Sequence, residues 1–320
     1  MRILEEVISL HETTGEDTDR SSTPWSDHAD FKPVADLDRA SRRYKIATQE
    51  GFAVWRQWGS GPALVMLHGG SGSWSHFYRQ VEAFSGKYRV IVPDLPGFGD
   101  SADSVLQADP DQMARILAAG IDKLAGPEPI YLVGFSYGGI IGGYLARLIA
   151  SRLSGFVLVG GVGFEARRNR VDLTSWRRLS GVDARRDAHR NNLAAIMIAD
   201  PARIDPTAIL IQQANAERSR HDTRPTAQRK PLTALLDESK APLAAIWGEY
   251  DQLAAPYFDE RRKWLAERDP DALFKLVADA GHWVQYEAAD AFNEALAGSL
   301  HSFAQRGGVD RHFQGGQHGR

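Results

Sequence analysis

Short, continuously apolar runs recur along the chain, each followed by a few glycine or polar residues and then by apolar positions at helical spacing. Residues 63–67 and 89–92 read as buried strands, and 130–133, 156–159, 243–247 and 272–277 as further strands. Between them, Trp74, Phe77, Val81 and Phe84 fall on one helical face, which Gly86 stops. Met113, Ile116, Leu117, Ile121 and Leu124 make a second such face, and Ile140, Ile141, Tyr144, Leu145 and Leu148 a third. Helices around 257–265 and 288–303 complete the alternation, which predicts a parallel sheet with right-handed crossovers and a site at the carboxyl ends of its strands. Tyr44, Ile46, Phe52, Val54, Trp55 and Trp58 surround a turn at Glu50-Gly51 and predict an antiparallel hairpin at a sheet edge.

The rhythm breaks between residues 163 and 240, where strand-like runs give way to helical patches such as 193–198 and 209–214, the pattern of a helical insertion. Residues 1–43 are polar, with room for one short helix through Ile3, Leu4, Val7 and Ile8, and are expected to be mostly an extension. Residues 307–320, rich in Gly, His and Gln, are expected to form a disordered tail. The core therefore spans 44–162 and 241–306.

Composition narrows the field of functions. At 320 residues the chain can bury a large core without staples. A net charge of -3 and a sequence pI near 6.4 give no overall field for nucleic acid or an anionic membrane. With no cysteine, disulfides, thiolate metal sites and a cysteine nucleophile are excluded. No apolar run has signal-peptide length or approaches the roughly 18 to 20 residues of a membrane span, so a cytoplasmic protein acting on a small molecule is expected.

The chemistry centres on residues 130–139, where a strand runs through Gly134-Phe135-Ser136-Tyr137-Gly138-Gly139 into a helix. Glycines two residues either side of a serine let strand and helix pack closely around a sharp turn that lifts the hydroxyl above the sheet edge. The alternative is a Gly/Ser loop that merely punctuates two elements. A second glycine loop, His68-Gly69-Gly70-Ser71-Gly72, follows the strand at 63–67; it lacks the Lys-Ser/Thr of a phosphate loop and the spacing of a dinucleotide fold. It reads as a tight turn or as an oxyanion loop with a backbone N–H near Gly70. In the loop 94–101, Asp94 reads as a backbone-fixing residue. Asp251 follows the strand at 243–247 and His282 the one at 272–277. A serine hydroxyl needs a histidine to take its proton, and that histidine needs a carboxylate to fix its tautomer, so Ser136, Asp251 and His282 read together as nucleophile, orienting acid and base.

From about Tyr44 to Phe303 the chain resembles the α/β-hydrolase-fold enzymes, on the strength of His68-Gly69-Gly70, residues 94–101 and 134–139, Asp251 and His282. The resemblance implies a mostly parallel eight-stranded sheet with helices on both faces and a cap or lid in 163–240. It also implies a catalytic triad of Ser136, Asp251 and His282 and an oxyanion hole from the N–H groups of Tyr137 and of Gly70 or Ser71. No cofactor and no metal are implied, and the protein would be a monomer or homodimer. Gly281-His282-Trp283-Val284-Gln285-Tyr286-Glu287 is similar to the tail of the carbon–carbon bond hydrolases that cleave ring-fission products; those enzymes carry asparagines where this chain has His76 and Phe135. A serine at the elbow departs from dehalogenases and epoxide hydrolases, which carry aspartate there. The expected activity is hydrolysis of a small ester, anionic ones included, or of a C–C bond next to a carbonyl. The alternatives are a ligand-binding protein of the same fold and a cofactor-free oxygenase using the His-Asp pair.

Residues 163–240 hold fifteen Lys or Arg against ten Asp or Glu, so the insertion is basic and the remainder acidic. Arg167, Arg168, Arg170, Arg177, Arg178, Arg185, Arg186 and Arg190 crowd the first part of the insertion; arginines pair bidentately with carboxylates, which makes Arg190, Arg218 and Arg220 the leading candidates for an anionic substrate, while most of the others read as a solvated face. His76, Phe135, Trp176 and Trp283 are candidates for the pocket wall.

Overall fold

The computed structural model describes residues 29–48, 51–102, 109–164, 171–226, 231–255 and 257–314. Eight strands form one sheet: β1 (Arg42–Thr48), β2 (Gly51–Trp58), β3 (Ala63–Leu67), β4 (Arg89–Pro93), β5 (Ile130–Phe135), β6 (Leu153–Val159), β7 (Leu243–Gly248) and β8 (Leu273–Val277). Their order is β1-β2-β4-β3-β5-β6-β7-β8, with β2 antiparallel to β1 and β4 and every other pair parallel. The strand order reverses at β3, which has β4 on one side and β5 on the other, and α/β sheets open their crevice at such a point.

The helices are α1 (Lys32–Ala40), α2 (Tyr78–Phe84), α3 (Pro110–Ala125), α4 (Tyr137–Leu148), α5 (Val182–Asn192), α6 (Pro206–Glu217), α7 (Leu232–Ser239), α8 (Phe258–Arg268), the single turn α9 (Val284–Glu287) and α10 (Ala289–Gln314). In β3, Leu64 and Met66 pack into a core layer shared with Val34 of α1, Val81 and Phe84 of α2 and Phe292, Leu296 and Phe303 of α10. Ala63, Val65 and Leu67, pointing the other way, join Leu117, Ile121, Ile141, Leu145, Leu235 and Leu265 from α3, α4, α7 and α8. Burial on both faces is why β3 carries no polar residue. Among the described residues, no helix is long and apolar enough to cross a membrane.

Three sequence expectations about boundaries need correction. The polar extension to residue 43 contains α1, held by more than apolar contact: Asp38 accepts from Arg56 Nε at 2.6 Å, and Trp58 Nε1 donates to the Leu37 carbonyl at 2.8 Å. The helix is only nine residues long, with Val34 and Leu37 as its large apolar residues, too short a run to stand out in a polar segment. Helix α7 falls inside the expected insertion but packs against α4, where a Cβ on Gly143 would lie 2.8 Å from Leu232 Cδ1. The segment from Leu232 onward is thus part of the core layer. The expected tail from Gly307 is helical through Gln314, because α10 has several turns already formed before it meets Gly307-Gly308, and each glycine costs only about 1 kcal/mol relative to alanine. The short helix expected near Ile3 lies outside the described residues.

Candidate active site

Ser136 sits between β5 and α4 with φ 51° and ψ -114°, a strained conformation for a residue with a Cβ. The flanking glycines make it possible. A Cβ on Gly134 would lie 2.7 Å from the Gly138 carbonyl oxygen, and one on Gly138 would lie 2.2 Å from that of Leu67. Strand β5, helix α4 and the end of β3 thus meet at van der Waals limits, and the hydroxyl is held at the carboxyl edge of the sheet.

The loops after β7 and β8 are drawn together in the same way. Glu249 N donates to the Val277 carbonyl and Tyr250 N to that of Ala280, both at 2.9 Å, and a Cβ on Gly248 would lie 2.2 Å from the Gly281 oxygen. This pairing brings His282 Nδ1 to 2.8 Å from Asp251 Oδ2. Asp251 is fully buried, and its other oxygen accepts from Leu253 N at 2.9 Å, so both carboxylate oxygens are held. The ring of Phe135 lies against that of His282, centroids 5.0 Å apart. Ser136 and His282 face one cavity of about 500 Å³.

Gly70, Ser71 and Tyr137 line that cavity too. Tyr137 opens α4, at the end of the helix where the aligned peptide dipoles leave positive charge. Ser71 has φ 47°, a second strained residue on the cavity wall. The glycine loop is held from behind. His68 donates from Nδ1 to the Gly69 carbonyl at 2.7 Å and accepts from Leu95 N at Nε2 at 2.9 Å, and burial keeps it neutral by lowering its affinity for protons. His76 Nδ1 accepts from Gly69 N at 3.3 Å, and burial holds it well below the ordinary histidine range. The Tyr137 hydroxyl, pushed up to about 12 by burial, is shared between His221 Nε2 at 3.0 Å and Thr226 Oγ1 at 3.4 Å.

Of the expected pocket residues, Trp176 lines the cavity among the described residues, and His76, Phe135 and Trp283 do not. Behind the glycine loop the His76 ring meets Phe135 edge-on at 5.5 Å and lies tilted 5.2 Å from Trp283, whose Nε1 donates to the His76 carbonyl at 3.1 Å. The cap arginines are also elsewhere. Arg190 is exposed and donates to the Ile204 carbonyl at 3.3 Å. Arg218 is ion-paired to Asp100, and Arg220 binds the carbonyls of Gly99, at 3.3 Å, and Ser101. Both serve a buried cluster in which Arg56 meets Asp38, Asp94 and Asp100, and which ties the return of the insertion to the loop after β4. Asp94 fixes backbone there, accepting from Trp74 N at 2.8 Å and Asp100 N at 2.9 Å. Arg167, Arg168 and Arg170 lie outside the described residues.

Among the described residues the cations on the cavity wall are Arg177, exposed and stacked 4.5 Å over Trp176, and Arg261, which is 3 % exposed. Arg261 donates to the Gly161 carbonyl at 3.2 Å and lies over the rings of Phe164 and Trp247. It sits in the charged run 259–263, which reads as a solvated helix face; its spacing of four from Leu265 was the available sign of a buried position. Ile140, Val162, Ile196 and Met197 supply apolar wall, and Asn192, Gln212 and Thr223 polar wall.

A serine on a strained elbow and a buried His-Asp pair facing one cavity form an arrangement that can perform acyl transfer. Comparison with known proteins agrees, since the sequence model of the alpha/beta hydrolase family matches residues 64–295. The chain belongs to the alpha/beta hydrolase family. This hydrolase is 30% identical over 249 residues to 2-hydroxy-6-oxo-6-phenylhexa-2,4-dienoate hydrolase of Burkholderia cepacia, covering 73% of this chain and 86% of that one. It is 32% identical over 286 residues to 2-hydroxy-6-oxononadienedioate/2-hydroxy-6-oxononatrienedioate hydrolase of Paraburkholderia phymatum, covering 82% and 96%. Among solved structures, a thermophilic esterase from Thermogutta terrifontis shares the fold with a TM-score of 0.63 at 24% identity, covering 82% of this chain and 98% of the esterase.

Proposed function

We propose that this hydrolase uses Ser136, His282 and Asp251 as a catalytic triad to cleave a carboxylate-bearing substrate at a C–C bond next to a carbonyl, with small esters as further substrates. The observation that carries the reading is the 2.8 Å contact of His282 Nδ1 with the buried Asp251 carboxylate, beside a cavity that His282 shares with Ser136. Ser136 Oγ attacks the carbonyl carbon while His282 Nε2 takes its proton, and Asp251 stabilises the imidazolium. The N–H groups of Tyr137 and of Gly70 or Ser71 hold the resulting oxyanion. Collapse expels the leaving carbon or alkoxide, which takes the proton back from His282, and water then releases the acyl group from Ser136 by the same route. The insertion between β6 and β7 acts as the lid.

The preference for a C–C bond comes from the relatives, two of which are named for 2-hydroxy-6-oxo-dienoates. The preference for an anion comes from the wall, where Arg177 and Arg261 add positive potential and, among the described residues, no carboxylate lines the cavity. Turnover of 2-hydroxy-6-oxo-6-phenylhexa-2,4-dienoate should exceed that of a neutral p-nitrophenyl ester in kcat/KM. Arg177→Gln should lower kcat/KM for the anionic substrate about tenfold, the low end for a charge-assisted hydrogen bond because Arg177 is exposed, and leave the neutral ester unchanged. Equal effects on both substrates would remove the anion from the proposal.

A further inference from the structure

Glu287 ends α9, five residues past His282, and turns its carboxylate back toward the histidine loop. It is 8 % exposed, and among the described residues no cation pairs with it. Its oxygens are instead met by three backbone donors: Oε2 accepts from Gly281 N at 2.7 Å and Ala199 N at 2.9 Å, and Oε1 from Asp200 N at 2.8 Å. Gly281 is the residue before His282. Ala199 and Asp200 belong to the insertion, just past the π-helical turn Leu193–Met197. On the other side of the histidine, Trp283 N donates to the Met197 carbonyl at 2.7 Å, and Met197 itself lines the cavity. The two chain segments approach so closely that a Cβ on Gly281 would lie 2.8 Å from Ala199 N and 3.0 Å from Met197 O.

We infer that Glu287 is a positioning residue for His282, and that the same carboxylate sets the register of the insertion on the histidine loop. The inference rests on the hydrolase reading above. Asp251 holds the imidazole at Nδ1 but leaves the backbone of 281–283 to be placed by something else, and the bonds to Glu287 and Met197 are what flank it. A carboxylate suits three converging N–H donors because both oxygens are pure acceptors. Glutamine, of the same size, has one carbonyl oxygen and would turn an NH₂ toward a backbone N–H, so a neutral isostere cannot fill the role. Burial of an anion without a cationic partner is expensive unless hydrogen bonds offset it, and here the three donors do so while joining two segments that line one cavity.

The test compares Glu287→Gln, Glu287→Asp and Glu287→Ala with wild type and Ser136→Ala, at a temperature where near-UV circular dichroism shows each protein folded. A drift of about 1 Å in the histidine loop lowers kcat about 100-fold, so Glu287→Ala should lose about that factor and Glu287→Gln about tenfold or more. KM should change less than kcat does, because Arg177, stacked on Trp176, and Arg261, bonded to the Gly161 carbonyl, keep anchors that do not involve Glu287. The rate of Ser136 labelling by a fluorophosphonate should fall in step with kcat, since that reaction needs the same histidine. Glu287→Asp keeps the charge one methylene short of its donors and should recover part of the loss. If Glu287→Ala does not fold, the isosteric Glu287→Gln decides. Folded variants with wild-type kcat, or with a raised KM alone, overturn the inference, since a purely structural brace would lower Tm without touching kcat per folded molecule. A Ser136→Ala protein as active as wild type would instead overturn the hydrolase reading itself.

Discussion

Gly138→Ala and Gly139→Ala are neighbouring substitutions of the same kind, and the structure assigns them opposite outcomes. A Cβ on Gly138 would stand 2.2 Å from the Leu67 carbonyl oxygen and 2.6 Å from that of His68, whereas one on Gly139 would meet nothing closer than the Gly134 oxygen at 3.4 Å. A relaxed C···O contact is about 3.3 Å, so Gly138→Ala forces about 1 Å of displacement, and backbone oxygens at the end of a fully buried strand cannot rotate aside. Overpacking of this sort costs about 1–3 kcal/mol, offset by up to about 1 kcal/mol of better helix propensity. The larger effect is geometric. The displacement separates the first turn of α4, with Tyr137 N–H, from the loop that carries Gly70 and Ser71, and about 1 Å of misplacement is worth about 100-fold in rate. Urea unfolding and steady-state kinetics on a chromogenic ester measure both quantities in the two variants. Gly138→Ala should lose at least about 100-fold in kcat/KM, and Gly139→Ala should stay within about threefold with stability equal or up to about 1 kcal/mol higher. A Gly138→Ala enzyme as fast as wild type, or two equally damaged variants, would refute the packing rationale for the elbow.

Asp251→Asn should lower kcat at least about 10³-fold by presenting the wrong histidine tautomer, with KM little changed in the same ester assay; an unaffected kcat would reassign the orienting acid. Stability should fall on acidification. His68, His76, His189 and His221 are all held below the ordinary value of 6.5, each chiefly by burial. Below about pH 6.5 the unfolded chain therefore binds more protons than the folded one, and stability drops by up to about 1.4 kcal/mol per pH unit for each histidine still neutral in the fold. Urea midpoints measured at pH 7.5 and 5.5 check this, and a midpoint that holds or rises at pH 5.5 contradicts it.

The order of strands and helices was legible because the central parallel strands, such as β3 and β7, are buried on both faces and are apolar throughout, while the neighbouring helices bury a single stripe. The elbow was legible because close backbone approach admits glycine alone at Gly134 and Gly138. Parts held by ions were not. Helix α1 is only nine residues long with Val34 and Leu37 as its large apolar residues, and its Asp38 is anchored on Arg56, while Arg218 and Arg220 looked like ligand-binding cations until Asp100 and the carbonyls of Gly99 and Ser101 proved to be their partners. Arg261 escaped notice for the converse reason, since a charged run hides the one member that points inward. A residue's charge is visible in sequence, but the partner that consumes it comes from a distant element.

The central claim, that Ser136 is the nucleophile, is tested most directly by treating wild type and Ser136→Ala with a fluorophosphonate probe, locating the label by peptide mass spectrometry and measuring ester turnover on the same samples. The expected result is a single adduct on Ser136 in wild type, none in the variant, and a loss in kcat of about 10³-fold or more with circular dichroism unchanged. A folded Ser136→Ala protein that keeps near-wild-type turnover, or an adduct on another residue, would contradict it.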